Sequence, residues 1–236
     1  PGNWSPSGPP QEGDAVRLDG PGETPLRLVG AAESAHVAML LARDPVTVEA
    51  GAVLRVSGDA VLDGLEVGFQ GVVILEAGAV IDELVVDRGR LIVEGVVHVA
   101  QRLDFAEGEI AGPGRLIVAE GAVANLGDAA ASAVGRDGVQ TLSLAATLEI
   151  RGDAALELAD LRFETGYLPP GDFARVDAPG ALEIAATGTL DLRGDHASLD
   201  HASGERHGDA LRQADWADQP GGLTNDGVLR KTGGGE

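Results

Sequence analysis

Residues 73–81 read VILEAGAVI, and the fold turns on how that stretch is parsed. Val73-Ile74-Leu75 and Ala79-Val80-Ile81 are triplets whose first and third residues fall on one side of a short strand. Gly78 sits between them, where a residue without a Cβ lets the chain bend tightly. The stretch therefore reads as two short strands meeting at a corner, both with aliphatic side chains pointing the same way.

The same phrase recurs along the chain. It is VTVEAGAVLRV at 46–56, LIVEGVVHV at 91–99, LIVAEGAVANL at 116–126, LEIRGDAALEL at 148–158 and LEIAATGTLDL at 182–192. Its glycines are Gly51, Gly78, Gly95, Gly121, Gly152 and Gly188. They lie on average about 27 positions apart, in the range of stacked repeat units. The irregular spacing argues against a strict short repeat and for coils carrying loops of variable length. An all-β fold follows: a right-handed parallel β-helix (β-solenoid) with irregular loops, spanning 1–236 as a single segment of a longer protein.

Segments between the phrases, AVLDGLEV at 60–67 and LADLRF at 158–163, supply third strands. SAHVAMLLA at 34–42 reads as a short helix capping the first coil, with a strand as the alternative. Residues 127–141 read as a long loop and 194–222 as a loop excursion off the stack, after which coil phrasing resumes in GLTNDGVLRKTGGG.

Composition agrees with such a stack. Hydrophobic residues make up 44% of the chain but aromatics only 3%, so Val, Leu, Ile and Ala fill the core in thin layers. A net charge of −21 excludes nucleic acid as a main partner and disfavours anionic membrane surfaces. The absence of cysteine excludes disulfides, thiolate metal sites and thiol catalysis. No apolar run approaches the roughly 20 residues of a membrane-spanning helix.

Reactive motifs are missing: there is no GxSxG elbow, P-loop, HExxH or EF-hand loop. GGLTNDGVL at 221–229 begins like a calcium nonapeptide but lacks its further Gly, so calcium is compatible with the chain without being indicated by any motif. The polar run DHASLDHASGERHGD at 195–209 offers Asp195, His196, Asp200, His201 and His207 as metal candidates, with zinc, nickel or manganese suited to imidazole and carboxylate. Spacings of five and six do not place these on one helical face, and a solvated polar loop explains the run equally. Asp82, Glu83, Asp87 and Asp104 read either as carboxylates stacked for polysaccharide cleavage or as the ordinary solvation of a solenoid wall. Trp4 and Trp216 read as residues that seal a core.

Both ends carry a resemblance. Trp4, Ser5, Gly8, Pro9 or Pro10, Gly13, Asp14, Val16 and Leu18 match a "W-S … G-x-P … G-D-x-V-x-I" phrase that opens β-helical modules of large bacterial surface proteins. LTNDGVLRKTGGG at 223–235 resembles the "N-x-G-x-L-x-K-x-G-G" phrase of adhesin-like, filamentous haemagglutinin-like repeat proteins. The resemblance implies a secreted or cell-surface segment that spaces, adheres or self-associates, its partners being further repeats, identical subunits or glycans. It implies no catalytic residue and no cofactor. The alternatives are a polysaccharide lyase or hydrolase and a carbohydrate- or calcium-binding module.

Overall fold

The computed structural model describes residues 13–18, 26–30, 34–127, 140–157, 159–164, 166–167, 176–177, 179–193, 198–201 and 222–232. These form a parallel β-helix. One sheet of 19 strands takes up nearly every strand, and every pairing within it is parallel. The single antiparallel pair among the described residues joins Gly166–Tyr167 to Val176–Asp177. No helix occurs among the described residues.

Three stacks of rungs run along the axis. The first face holds 15–18, 39–42, 60–62, 79–81, 97–99, 115–118, 147–150, 181–184 and 223–225, each paired with or hydrogen-bonded to the next. The second runs from 26–29 through 46–48, 65–67, 84–86, 103–105, 123–126, 153–157 and 189–193 to 228–232. The third runs from 35–37 through 54–56, 73–75, 91–92, 110–111, 142–144 and 161–163 to 199–201. The chain visits the faces in that order on every turn.

Alternation places the core. On the second face Val46, Leu65, Leu84, Leu103, Ala124, Ala154 and Leu190 follow one another down the lumen, all buried. Beside them run Val48, Val67, Val86, Phe105, Leu126, Leu156 and Leu192. Equivalent ladders line the other two faces, and together they make one continuous hydrophobic interior. Each layer covers the apolar surface of its neighbour, and a fully buried Val or Leu contributes on the order of 2 kcal/mol.

Ion pairs tie the outside of the turns together. Arg27 pairs with Glu49, Arg55 with Glu76 and Arg90 with Glu109, each bridging adjacent turns. Arg115 reaches further. One of its amino groups lies 2.7 Å from Glu149 and 2.5 Å from Glu183, so a single side chain joins three layers. Glu149 is only 8% exposed and also receives Arg151. The Arg151 hydrogen bond, ahead of that from Arg115, holds its carboxyl below the ordinary range against the opposing cost of burial. On the second face Asp191 accepts from Thr232 and pairs with Arg193 and Arg230, and the Thr232 bond contributes most to lowering its carboxyl.

Three local readings change. Residues 34–42 form two strands, Ala35–Val37 and Met39–Ala42, and no helical cap. Their backbones continue the parallel ladders to Val53–Val56 and Ala60–Val67, which a helix would leave without partners. The segment assigned to a loop excursion from 194 contains the rung Ser198–His201, paired with 160–163. The segment read as a loop to 141 ends earlier, since Gln140–Ile150 is a strand. The unit of repetition also differs from the average glycine spacing. Leu65 stacks on Leu84, Leu84 on Leu103, and Arg90 bonds Glu109 at a separation of 19 residues, which is the tight turn of this helix.

Candidate functional site

The corner between the second and third faces is concave. Successive turns pass through it as Phe69-Gln70-Gly71-Val72, Arg88-Gly89-Arg90 and Glu107-Gly108-Glu109, and Thr141 and Ser143 close the far end. Together they line an open groove of about 530 Å³.

Glycine makes the floor. A Cβ on Gly71 would stand 2.0 Å from the carbonyl oxygen of Val48, and one on Gly89 would stand 2.5 Å from that of Val67. Each turn thus lies directly on the one before it at this corner. The backbone there is unusual as well. Ala50, Gln70 and Arg88 occupy the left-handed region at φ 55°, 59° and 58°, and Gly108 follows at 122°. Non-glycine residues in that region carry a steric cost of about 1 kcal/mol each, which the stacked corner holds in place. The backbone N–H of Ala50 donates to the Phe69 carbonyl at 2.7 Å, and that of Gln70 donates to the Arg88 carbonyl at 3.0 Å.

The walls mix charged and hydroxyl side chains with apolar surface, including Val72 and one aromatic ring. Phe69 is 52% exposed, whereas Phe105 and Phe163 are fully buried in the lumen. The Arg88 guanidinium lies 5.7 Å from the centre of its ring and 2.9 Å from Asp87, whose hydrogen bond raises the arginine above its ordinary value. Arg90 sits 2.7 Å from Glu109 and 5.8 Å from the ring centre of Tyr167. Tyr167, on the short antiparallel pair, is buried against Ile74, Ile92, Ala111 and Ala145, an apolar strip on the outer side of the third face. Burial there pushes its hydroxyl above the ordinary value.

The carboxylates singled out from sequence are dispersed. Asp82 accepts from Gln101 at 2.8 Å, and Glu83 stands in register with Arg102. Asp87 is held by Arg88, and Asp104 accepts from Arg102 and Asn125. No two of the four are register partners, although Asp87 stands opposite Glu107 on the next turn. Of the metal candidates, Asp200 and His201 occupy consecutive positions on one rung, opposite Arg162 and Phe163. Asp195, His196 and His207 lie outside the described residues, as do Trp4 and Trp216. Among the described residues no group of three or more His, Asp or Glu is placed to hold a metal ion, and no helix is long and apolar enough to cross a membrane.

Phe69, Arg88, Glu107 and Tyr167 fall outside every repeated phrase. The signal of the first three is an offset of 19: positions 69, 88 and 107 occupy the same corner of successive turns, as do 71, 90 and 109. Tyr167 has no such signal. Comparison with known proteins returns no matching family model, curated protein or solved structure. The resemblance of the two chain ends to surface-protein modules therefore stands on the quoted residues alone.

Proposed function

We propose that this chain is a structural, adhesive β-helical segment of a secreted or cell-surface protein, stacked with further repeats of the same protein or with identical subunits. The observation that supports it is the continuity of the stack. Rungs from Ala15 to Thr232 use one pattern of inward aliphatics and one direction of pairing, with ion pairs joining the turns. Rungs stacked at about 4.8 Å make a stiff rod whose length grows with every added turn. Its role is then to hold something at a distance or to build a fibre. Among the described residues the end strands Ala15–Leu18 and Val228–Thr232 each pair on one side only, the usual template for another chain.

Small-angle scattering over a concentration series tests this reading. An elongated particle whose long dimension increases with concentration is expected. A compact particle of fixed, near-spherical dimensions at all concentrations would remove the proposal.

A further inference from the structure

We infer that the groove at the corner of the second and third faces is a binding site for a neutral oligosaccharide. The argument begins with Phe69. A large apolar ring left 52% exposed in a chain with only 3% aromatics is an uncommon use of that residue. Such rings stack on the apolar face of a pyranose, where axial C–H groups meet the negative π-face. Arg88, fixed between Asp87 and the ring, keeps the platform oriented.

The polar surround suits hydroxyl groups. Planar guanidinium and carboxylate groups present paired donors and paired acceptors, a match to neighbouring hydroxyls on a sugar ring. Arg90 is held from two sides, by Glu109 and by Tyr167, so its orientation is set before any ligand arrives. The repeat along the axis is about 4.8 Å per turn, so an extended glycan lying along the groove meets Phe69, Arg88 and Glu107 in succession.

Charge selects among glycans. Both arginines are already neutralised by Asp87 and Glu109, Glu107 adds a further negative charge, and the whole chain carries −21. A polyanionic saccharide is repelled by that field, and a neutral one is not. Gly71, Gly89 and Gly108 let the turns close up directly beneath the groove, since a Cβ on each would meet a backbone carbonyl oxygen of the preceding turn at 2.0, 2.5 and 2.3 Å.

The test is calorimetric titration of the whole chain with cellohexaose, mannohexaose, laminarihexaose and chitohexaose, and with hexagalacturonate as the anionic probe. At least one neutral hexasaccharide binds, and hexagalacturonate binds more weakly or not at all. Phe69→Ala weakens the neutral ligand about tenfold, and Thr141→Trp, which places a bulky ring in the far end of the groove, weakens it at least as much. Both residues are exposed, so the melting midpoint stays close to that of the parent; if Phe69→Ala fails to fold, Thr141→Trp decides. No binding by any neutral probe, undiminished binding by the variants, or tighter binding of hexagalacturonate would each overturn the inference.

Discussion

The turns between residues 39 and 118 and those from 140 onward are built from the same rungs with different amounts of chain between them. In the first region Ala60 stacks on Ala79 and Leu84 on Leu103, with only a few residues at each corner. In the second, Leu148 stacks on Leu182 and Leu182 on Leu223. The inward side chains are nonetheless alike, and the lumen runs through both as one core. What fixes a rung is the layer beneath it, not the length of chain that delivers it. Magnitudes agree: doubling a loop costs about 0.6 kcal/mol, while one buried leucine contributes on the order of 2 kcal/mol.

That equivalence can be broken at several depths. The largest effect is expected for Leu103→Asp, which puts an unpartnered carboxylate between Leu84 and Ala124 in the lumen; a loss above about 4 kcal/mol is expected, read as failure to unfold cooperatively in a thermal melt. Phe105→Ala and Phe163→Ala, one from each region, should each lose about 3–5 kcal/mol in denaturant titration. A cost in only one of them would show that the two regions are not one core.

Glycine variants separate crowding from backbone conformation. Gly71→Ala drives a Cβ against the Val48 carbonyl and should cost about 1–3 kcal/mol. Gly121→Ala meets open space and bears only the penalty of its φ of +81°, about 1 kcal/mol. Equal losses would mean that the close approach of turns at the groove is not what requires glycine there.

Acid reaches the later region through Glu149. Its carboxyl titrates lower in the folded chain than its ordinary value of 4.5, so its contribution is complete above that value and is lost as pH falls through the folded one. Glu149→Gln should therefore lower stability by about 1 kcal/mol at neutral pH and make the midpoint less sensitive to pH below 4.5. An unchanged acid profile would remove the Arg115 network from the account. The smallest effect, below about 0.5 kcal/mol, is expected for Glu49→Gln, whose partner Arg27 is 59% exposed.

The class of fold was legible because strand–glycine–strand is a local signal. The phrase, however, marks a corner and not a turn. Gly51 lies between the second and third faces, Gly78 and Gly95 between the third and first, and Gly121, Gly152 and Gly188 between the first and second. Counting these glycines thus steps around the triangle as far as Gly121, and from Gly121 to Gly188, which share one corner, it counts the chain inserted within each turn, so the spacing comes out irregular and too long. Corners built on Asp44-Pro45 or Asp82-Glu83 carry no phrase glycine and pass unseen. The groove was illegible for a related reason: its residues come from separate turns, and only the 19-residue offset brings Phe69, Arg88 and Glu107 to one place.

Because the interturn hydrogen bonds lie along the long axis, a pull on the two ends would open the stack one layer at a time, with each layer resisting alone. Arg115 alters that sequence locally. By gripping Glu149 and Glu183 at once it couples the rungs at 115–118, 147–150 and 181–184, so these layers would part together and at higher force than their neighbours. Under such a pull the first tear would start elsewhere.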